Sequence, residues 1–304
     1  KIKESKNLLE NEINGVLNSL TPDFIITGTS SNDFTEKYLW KFAKNLNIPT
    51  MAILDHWCNY GIRFSKYGSK DINKYKVEKT FDFLPSYICV MDDFAKSEMQ
   101  KEGVPADMIY ALGNPHFETI KNKSEFVDVK KIRSKFLKNN KNNKIVTFAS
   151  EAYEEDYGVS PERKALNDIA QILNQQSNIT FVVKLHPKEN ESKYCEITQC
   201  ILDKETDPID MIMASDIIIS MTSMFLIEAA ILGKKIISYQ PTETDKNKFI
   251  LTKNNMLKFI NNYNELNNVL TSLLNVGDIS YSFAVDFNAT NNILDFVGDK
   301  ICRN

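Results

Sequence analysis

The sequence predicts an α/β fold of two doubly wound parallel domains facing each other across a cleft. Three observations predict it. Short β-branched or apolar runs alternate with helical patterns along nearly the whole chain. A small polar cluster follows most of those runs, which is where open parallel sheets bind ligands. The chain has 304 residues, 42% of them hydrophobic, enough for two cores, and it carries a Lys- and Asn-rich break, KFLKNNKNNK, before its second half.

The elements follow in order. Residues 2–20 have helical spacing, with apolar side chains at Leu8, Leu9, Ile13, Val16, Leu17 and Leu20. Residues 24–27 form a strand ending in Gly28-Thr29-Ser30-Ser31-Asn32, and 34–46 a helix. Pro49 opens the strand 50–54, which runs into Asp55-His56-Trp57. Residues 87–91 are the next strand. The helix 92–102 follows, with Asp92 or Asp93 as N-cap, a better role for that pair than metal binding. A short strand, 109–112, enters Gly113-Asn114-Pro115-His116.

The stretch 121–144 reads as a solvated linker or helix face. The expected organisation is a first domain over 1–120, a linker over 121–144, a second domain over 145–285, and a terminal segment, 286–304, whose helix packs back on the first domain. Residues 145–149 begin the second domain as a strand, followed by Ser150-Glu151 and an acidic loop. A helix over 161–175, a strand over 180–185 with His186-Pro187 after it, and a short helix over 209–214 come next. Further helices are expected over 264–274 and 288–301.

The most informative stretch is 216–238, DIIISMTSMFLIEAAILGKKIIS. It reads as a buried strand, a hydroxyl-rich loop (Ser220-Met221-Thr222-Ser223), an apolar helix stopped by Gly233, and a second buried strand. A loop at a helix N-terminus offers unpaired backbone N–H groups and the positive end of the dipole, which suits phosphate. Ser and Thr are also ordinary N-caps, so a capped helix without ligand is the plain alternative. All three histidines, His56, His116 and His186, fall just after predicted strands, in the positions that would line a polar cleft.

Composition narrows the partners. The net charge of −3 gives no footprint for nucleic acid. Five scattered cysteines with no CxxC pair suggest neither a zinc site nor a disulfide framework, and no metal cluster stands out. No apolar run approaches the roughly 18–20 residues of a membrane span, and no signal peptide is visible, so an intracellular protein is expected.

These residues carry a resemblance. The second half resembles the nucleotide-binding half of GT-B glycosyltransferases and of UDP-N-acetylglucosamine 2-epimerases. Gly113-Asn114-Pro115 resembles the turn between the halves, and Ser150-Glu151 the polar loop after the first strand of the second half. Lys184-Leu185-His186-Pro187 resembles the His-Pro motif of polysialyltransferase-like, capsule and CDP-glycerol-type transferases. Ser220 to Ser223 with Glu228-Ala229 resembles their Ser-containing loop and Glu-Ala helix. Thr27-Gly28-Thr29 with Asn47-Ile48-Pro49 resembles the first half of the same fold.

The resemblance implies two Rossmann-like domains and a metal-independent transferase without a cofactor, moving sugar from a nucleotide donor to a glycan or lipid-linked acceptor in surface polysaccharide synthesis. It implies a cytoplasmic location, with peripheral association at the inner membrane face. Phosphate and nucleotide would be held by Ser150, Glu151, His186, Ser220, Thr222, Ser223 and Glu228, the last through ribose hydroxyls. The plain alternative for Glu228 is a solvated helix carboxylate. Gly28, Thr29, Ser30, Gly113 and Asn114 would serve the acceptor side or hinge. The base is expected at Asp55 or His56, with Asp55 preferred because a carboxylate is ready at neutral pH; His186, the third catalytic candidate, would donate to phosphate or act as an acid toward it. An epimerase or hydrolase on the same donor, and a non-catalytic nucleotide-sugar-binding protein, are the alternative functions. The chain departs from the epimerases in having Met221 and Thr222 where they carry a Gly-Gly pair. The usual first strand and its Gly-rich loop are not visible before Ile2, so the first domain is expected to lack that strand.

Overall fold

The structure, a computed structural model, describes residues 10–137, 143–154, 158–194, 199–275 and 283–302. The chain divides into two compact units, Lys1–Glu118 with Val285–Asn304, and Thr119–Ala284. Each is a parallel sheet flanked by helices. The first part of the helix expected over 2–20 lies outside the described residues; its second part is α1, Glu10–Leu20.

In unit 1 the strands β1 (Ile25–Thr27), β2 (Thr50–Ile53), β3 (Tyr87–Val90) and β4 (Ile109–Ala111) lie side by side in sequence order, all parallel. Helices α2 (Thr35–Asn45), α3 (Ile72–Glu78), α4 (Asp93–Glu102) and α5 (Pro115–Ser124) join or follow them. Asp92 caps α4 by accepting from the Ala95 N–H at 2.7 Å, and Gly103, at φ 101°, ends it. The terminal helix, Ala289–Ile301, belongs to this unit, and its Ile293 packs with Met51 of β2 and Cys89 of β3. The approach is close at Gly113, whose φ is 94° and where a Cβ would stand 2.6 Å from Ala289 Cβ. Only glycine fits there.

Unit 2 has β5 (Lys144–Ala149), β6 (Ile179–Lys184), β7 (Ile201–Asp203), β8 (Ile217–Ser220) and β9 (Lys235–Ser238) in the order β7-β6-β5-β8-β9, again all parallel. The chain winds one way from β5 through β6 to β7, then returns to the other side of β5 for β8 and β9. The reversal falls between β5 and β8, and the crevice beyond their carboxyl ends is where such sheets bind ligands. Val146, Phe148, Ile217 and Ile219 are buried among Leu166 and Ile169 of the helix Pro161–Leu173 and Leu266 and Leu270 of the helix Tyr263–Asn275.

Several details differ from the sequence reading. The stretch 121–144 is not mainly irregular: α5 runs to Ser124, and a helix, α6, spans Val129–Leu137. The Lys and Asn content hides a stripe, Ile132, Phe136 and Leu137, that packs on Ile145, Val182 and Met211. His116 lies in the first turn of α5 rather than in a loop. Ser220 is the last residue of β8, fully buried. The edge strand β7 and helix α3 were not expected; three residues with exposed Ile201 give β7 no period to read. Among the described residues no helix is long and apolar enough to cross a membrane.

Candidate functional site

In unit 2 a pocket of about 400 Å³ opens at the carboxyl ends of the strands. Ala149 at the end of β5 and Ser150 after it, Leu185, His186 and Pro187 after β6, Thr206 and Asp207 after β7, and Ser223 and Phe225 after β8 line it. It therefore spans the reversal point of the sheet, where four strand ends converge. Ser223 is the N-cap of the helix Met224–Ile231, its hydroxyl accepting from the Phe225 N–H at 3.2 Å. Asp207 caps the neighbouring helix, Pro208–Ala214, accepting from the Ile209 N–H at 2.9 Å. Two lysines brace the rim. Lys184 Nζ donates to Asp203 Oδ2 at 3.0 Å and to the Lys204 carbonyl at 2.9 Å, and Lys204 Nζ donates to the Glu189 carbonyl at 2.7 Å.

His186 is half-buried beside this pocket. Its Nδ1 accepts from the Lys188 N–H at 3.2 Å, so the neutral ring carries its proton on Nε2 as a donor. Ser150 is buried and its hydroxyl donates inward to Glu189. Glu189 itself is fully buried. Burial pushes its carboxyl up, but bonds from Lys193, Ser150, Tyr194 and the His186 N–H outweigh that and hold it below its ordinary range.

The polar loop after β8 is closed by a carboxylate of the same unit. Glu151 Oε1 accepts from the Met221 N–H at 3.0 Å, the Thr222 N–H at 2.7 Å and the Ser220 hydroxyl at 3.1 Å, while Oε2 accepts from the Thr222 hydroxyl at 2.8 Å. Burial raises the Glu151 carboxyl, and the Thr222, Ser220 and Met221 donors oppose it. The amides of 221 and 222 are thus already bonded to Glu151. Of the four residues Ser220 to Ser223, Ser223 alone lines the pocket, whereas Ser220, Thr222 and Glu151 form one internal cluster. Glu228 is half-buried further along the helix and does not line the pocket.

In unit 1 the loop after β1 and the loop after β2 are tied by Arg63. Its Nη1 donates to Asp55 Oδ1 at 2.8 Å, to Thr29 Oγ1 at 2.7 Å and to the Thr29 carbonyl at 3.2 Å. The Asp55 side chain is 72% exposed and that of Arg63 only 11%. His56 is half-buried, and its Nδ1 is shielded from solvent without a hydrogen-bond partner. Burial and the nearby Arg63 hold its imidazole below the usual range, against the pull of Asp55. Ser30 Oγ accepts from the Asn32 and Asp33 amides at 3.2 and 3.0 Å and shapes the loop before α2. At Gly28 a Cβ would meet only Glu36 Oε1, at 3.9 Å, so space does not demand glycine. Asn114 Oδ1 accepts from the His116 N–H at 2.9 Å and opens α5.

The structure thus brings Ser150, His186 and Ser223 together, and joins Thr29 to Asp55. Sequence reasoning missed Arg63 and Glu189. Glu189 had one signal, its place three residues after His186 in a turn; Arg63 had none.

Two parallel-sheet α/β units with this winding define the GT-B / UDP-N-acetylglucosamine 2-epimerase fold. A Listeria monocytogenes protein assigned as a UDP-N-acetylglucosamine 2-epimerase superposes with a TM-score of 0.70 at 15% identity, over 100% of this chain and 83% of that one. The Neisseria meningitidis UDP-GlcNAc 2-epimerase, solved bound to UDP-GlcNAc, gives 0.69 at 16% identity, over 95% and 80%. Anabaena HepE, solved in complex with UDP-glucose, gives 0.55 at 14% identity, over 88% and 72%. At these identities the likeness is one of fold. No curated protein matches the chain by sequence. Residues 95–299 match the family described as "Protein of unknown function (DUF354)", and the chain belongs to that family.

Proposed function

We propose that the chain is a nucleotide-sugar enzyme whose unit 2 pocket takes the nucleoside diphosphate of the donor. One observation carries this reading: the pocket at the sheet's reversal point gathers His186 and the N-terminus of the helix capped by Ser223. A diphosphate beside that helix end meets the positive end of the helix dipole, with His186 as a further donor. By the resemblance of its Glu-Ala helix, Glu228, which does not line this pocket, would accept from ribose hydroxyls outside it. Solved proteins of the same fold hold UDP-GlcNAc or UDP-glucose, which supports a uridine nucleotide as the first ligand to try.

The reaction we infer is glycosyl transfer. The acceptor oxygen bonds to the anomeric carbon, the anomeric carbon–phosphate oxygen bond breaks, and the hydroxyl proton passes to a carboxylate. Asp55 is the carboxylate assigned to that step: Arg63 holds Oδ1, and the side chain is largely exposed. The helix end and His186 stabilise the charge on the departing diphosphate. The resemblance of Lys184-Leu185-His186-Pro187 to His-Pro transferases supports transfer, with a glycan or lipid-linked acceptor in polysaccharide synthesis. The 2-epimerases of like fold favour a second reading, epimerisation or hydrolysis of the same donor.

Thermal-shift measurement with UDP, CMP, CDP and GDP tests the nucleotide step, because a ligand bound to the native state raises the melting temperature. UDP is expected to raise it; no shift with any of the four contradicts the proposal. Incubation with UDP-sugars, with and without glycan acceptors, separates the reactions. Glycoside plus UDP is expected, and an altered monosaccharide formed without acceptor would replace transfer by the second reading.

A further inference from the structure

The His186 loop is built around a buried carboxylate that the pocket does not touch. Glu189 Oε2 accepts from the His186 N–H at 2.9 Å and from the Ser150 hydroxyl. The Glu189 N–H in turn donates to the His186 carbonyl at 2.9 Å. The turn 186–189 is therefore closed twice, once through backbone and once through side chain. Glu189 Oε1 accepts from Lys193 Nζ at 2.8 Å and from the Tyr194 hydroxyl at 2.6 Å. Lys193 Nζ also lies 2.6 Å from Glu162 Oε1, and both carboxylates are 0% exposed. One cation thus serves two buried anions, and every hydrogen bond to Glu189 comes from a donor.

Ser150 is part of this arrangement. A hydroxyl has one proton. Both acceptors of Ser150 Oγ lie inside the unit: the Glu189 carboxylate and, at 3.3 Å, the Lys184 carbonyl. Its oxygen also accepts from the His186 N–H at 3.3 Å. Ser150 borders the pocket, yet its proton is committed behind it.

We propose that Glu189 and Ser150 are positioning residues that fix the His186 turn and aim the imidazole Nε2–H at the diphosphate, and that Ser150 is not itself a phosphate ligand. The inference rests on the nucleotide reading of the same pocket. The coupling is mechanical. Glu189 and Ser150 hold the His186 backbone amide, and the Lys188 amide in the same turn holds Nδ1, so one closed turn sets both ring orientation and tautomer.

Glu189→Gln and Ser150→Ala test it, with His186→Gln as reference. Gln keeps the size of Glu189 but presents a donor on one side, so it cannot accept from both His186 with Ser150 and Lys193 with Tyr194. The probes are UDP and uridine, titrated against the full chain, and the ring ¹⁵N spectrum of His186. Three histidines keep that spectrum simple, and His186→Gln assigns the resonance. Glu189→Gln is expected to weaken UDP about tenfold, the scale of one charge-assisted hydrogen bond, while leaving uridine unchanged. The ring should shift from the Nε2-protonated tautomer to a mixture. Ser150→Ala should move both readouts the same way, with a smaller loss of UDP affinity than in His186→Gln.

Equal losses of UDP and uridine in folded Glu189→Gln would overturn the proposal, since general damage to the pocket acts on both ligands. An unchanged UDP-to-uridine ratio would overturn it too. Ser150→Ala matching His186→Gln in lost UDP affinity would make Ser150 a direct ligand. If the parent binds neither probe, the nucleotide reading fails by itself. The tautomer then decides the positioning role, and an identical ring spectrum in parent and Glu189→Gln refutes it.

Discussion

Replacing Glu151 with Ala removes the acceptor on which the loop after β8 is folded. Four donors lose their acceptor. Two have somewhere else to go: the Ser220 hydroxyl is also 2.8 Å from the Ala149 carbonyl, and the Thr222 hydroxyl 3.0 Å from the Tyr153 hydroxyl. The Met221 and Thr222 amides have no such alternative, and each buried amide left bare costs about 1.5 kcal/mol. Relief from burying the carboxylate offsets about 1 kcal/mol, leaving a loss of about 2 kcal/mol. For a unit of this size that lowers the melting temperature by about 4–8 °C. Glu151→Gln keeps Oε1 for both amides and should lose about 1 kcal/mol or less.

The pH dependence has a definite sign. Burial raises the folded Glu151 pKa above that of the unfolded chain, so its favourable contribution is complete below about pH 4 and is lost as pH rises through the folded value. The stability of the parent relative to Glu151→Gln should therefore decline as the pH is raised from about 4. Denaturant titration of parent, Gln and Ala variants at several pH values measures all of this. Glu151→Ala as stable as the parent, within about 0.5 kcal/mol, would refute the view that this carboxylate holds the loop.

Other outcomes follow from single contacts. Gly113→Ala should destabilise unit 1 by about 2–4 kcal/mol in denaturant titration, because the new Cβ meets Ala289 Cβ and φ is positive. Ser223→Ala should lose about 1 kcal/mol from the lost cap and weaken UDP in calorimetric titration. Lys37 is fully buried, its ammonium donating to the Ser31, Ser65 and Tyr67 carbonyls, and burial lowers its pKa to about 8. Above that value the unfolded chain binds the proton and the folded one does not. Stability relative to Lys37→Met should therefore rise between about pH 8 and pH 10, measured by thermal melts. Asp55→Asn keeps an oxygen for Arg63 but cannot take a proton, so turnover should fall about 10²-fold or more at unchanged UDP affinity.

Much of this was legible because buried parallel strands announce themselves. Ile217-Ile218-Ile219, the Ser223 cap and Gly233 give a strand, a helix start and a stop without any tertiary information. The site divides differently. His186 and Ser223 could be placed because position after a strand fixes where a side chain emerges. That Ser220 and Thr222 turn inward could not be read, because their partner, Glu151, comes from a different strand end some seventy positions away. Arg63 escaped for the same reason: nothing near residue 63 points to Thr29, 34 positions earlier. The packing of the stretch 121–144 was hidden because its Lys and Asn content outweighed a three-residue apolar stripe whose partners lie in β5, β6 and the helix Pro208–Ala214.

A crystal structure of the full chain with UDP tests the central claim most directly. The diphosphate should sit in the unit 2 pocket, against the N-terminus of the helix capped by Ser223 and within hydrogen-bond distance of His186 Nε2, while Glu151 keeps the Met221 and Thr222 amides. UDP bound elsewhere, or a diphosphate that displaces Glu151 and leaves His186 without contact, would contradict it.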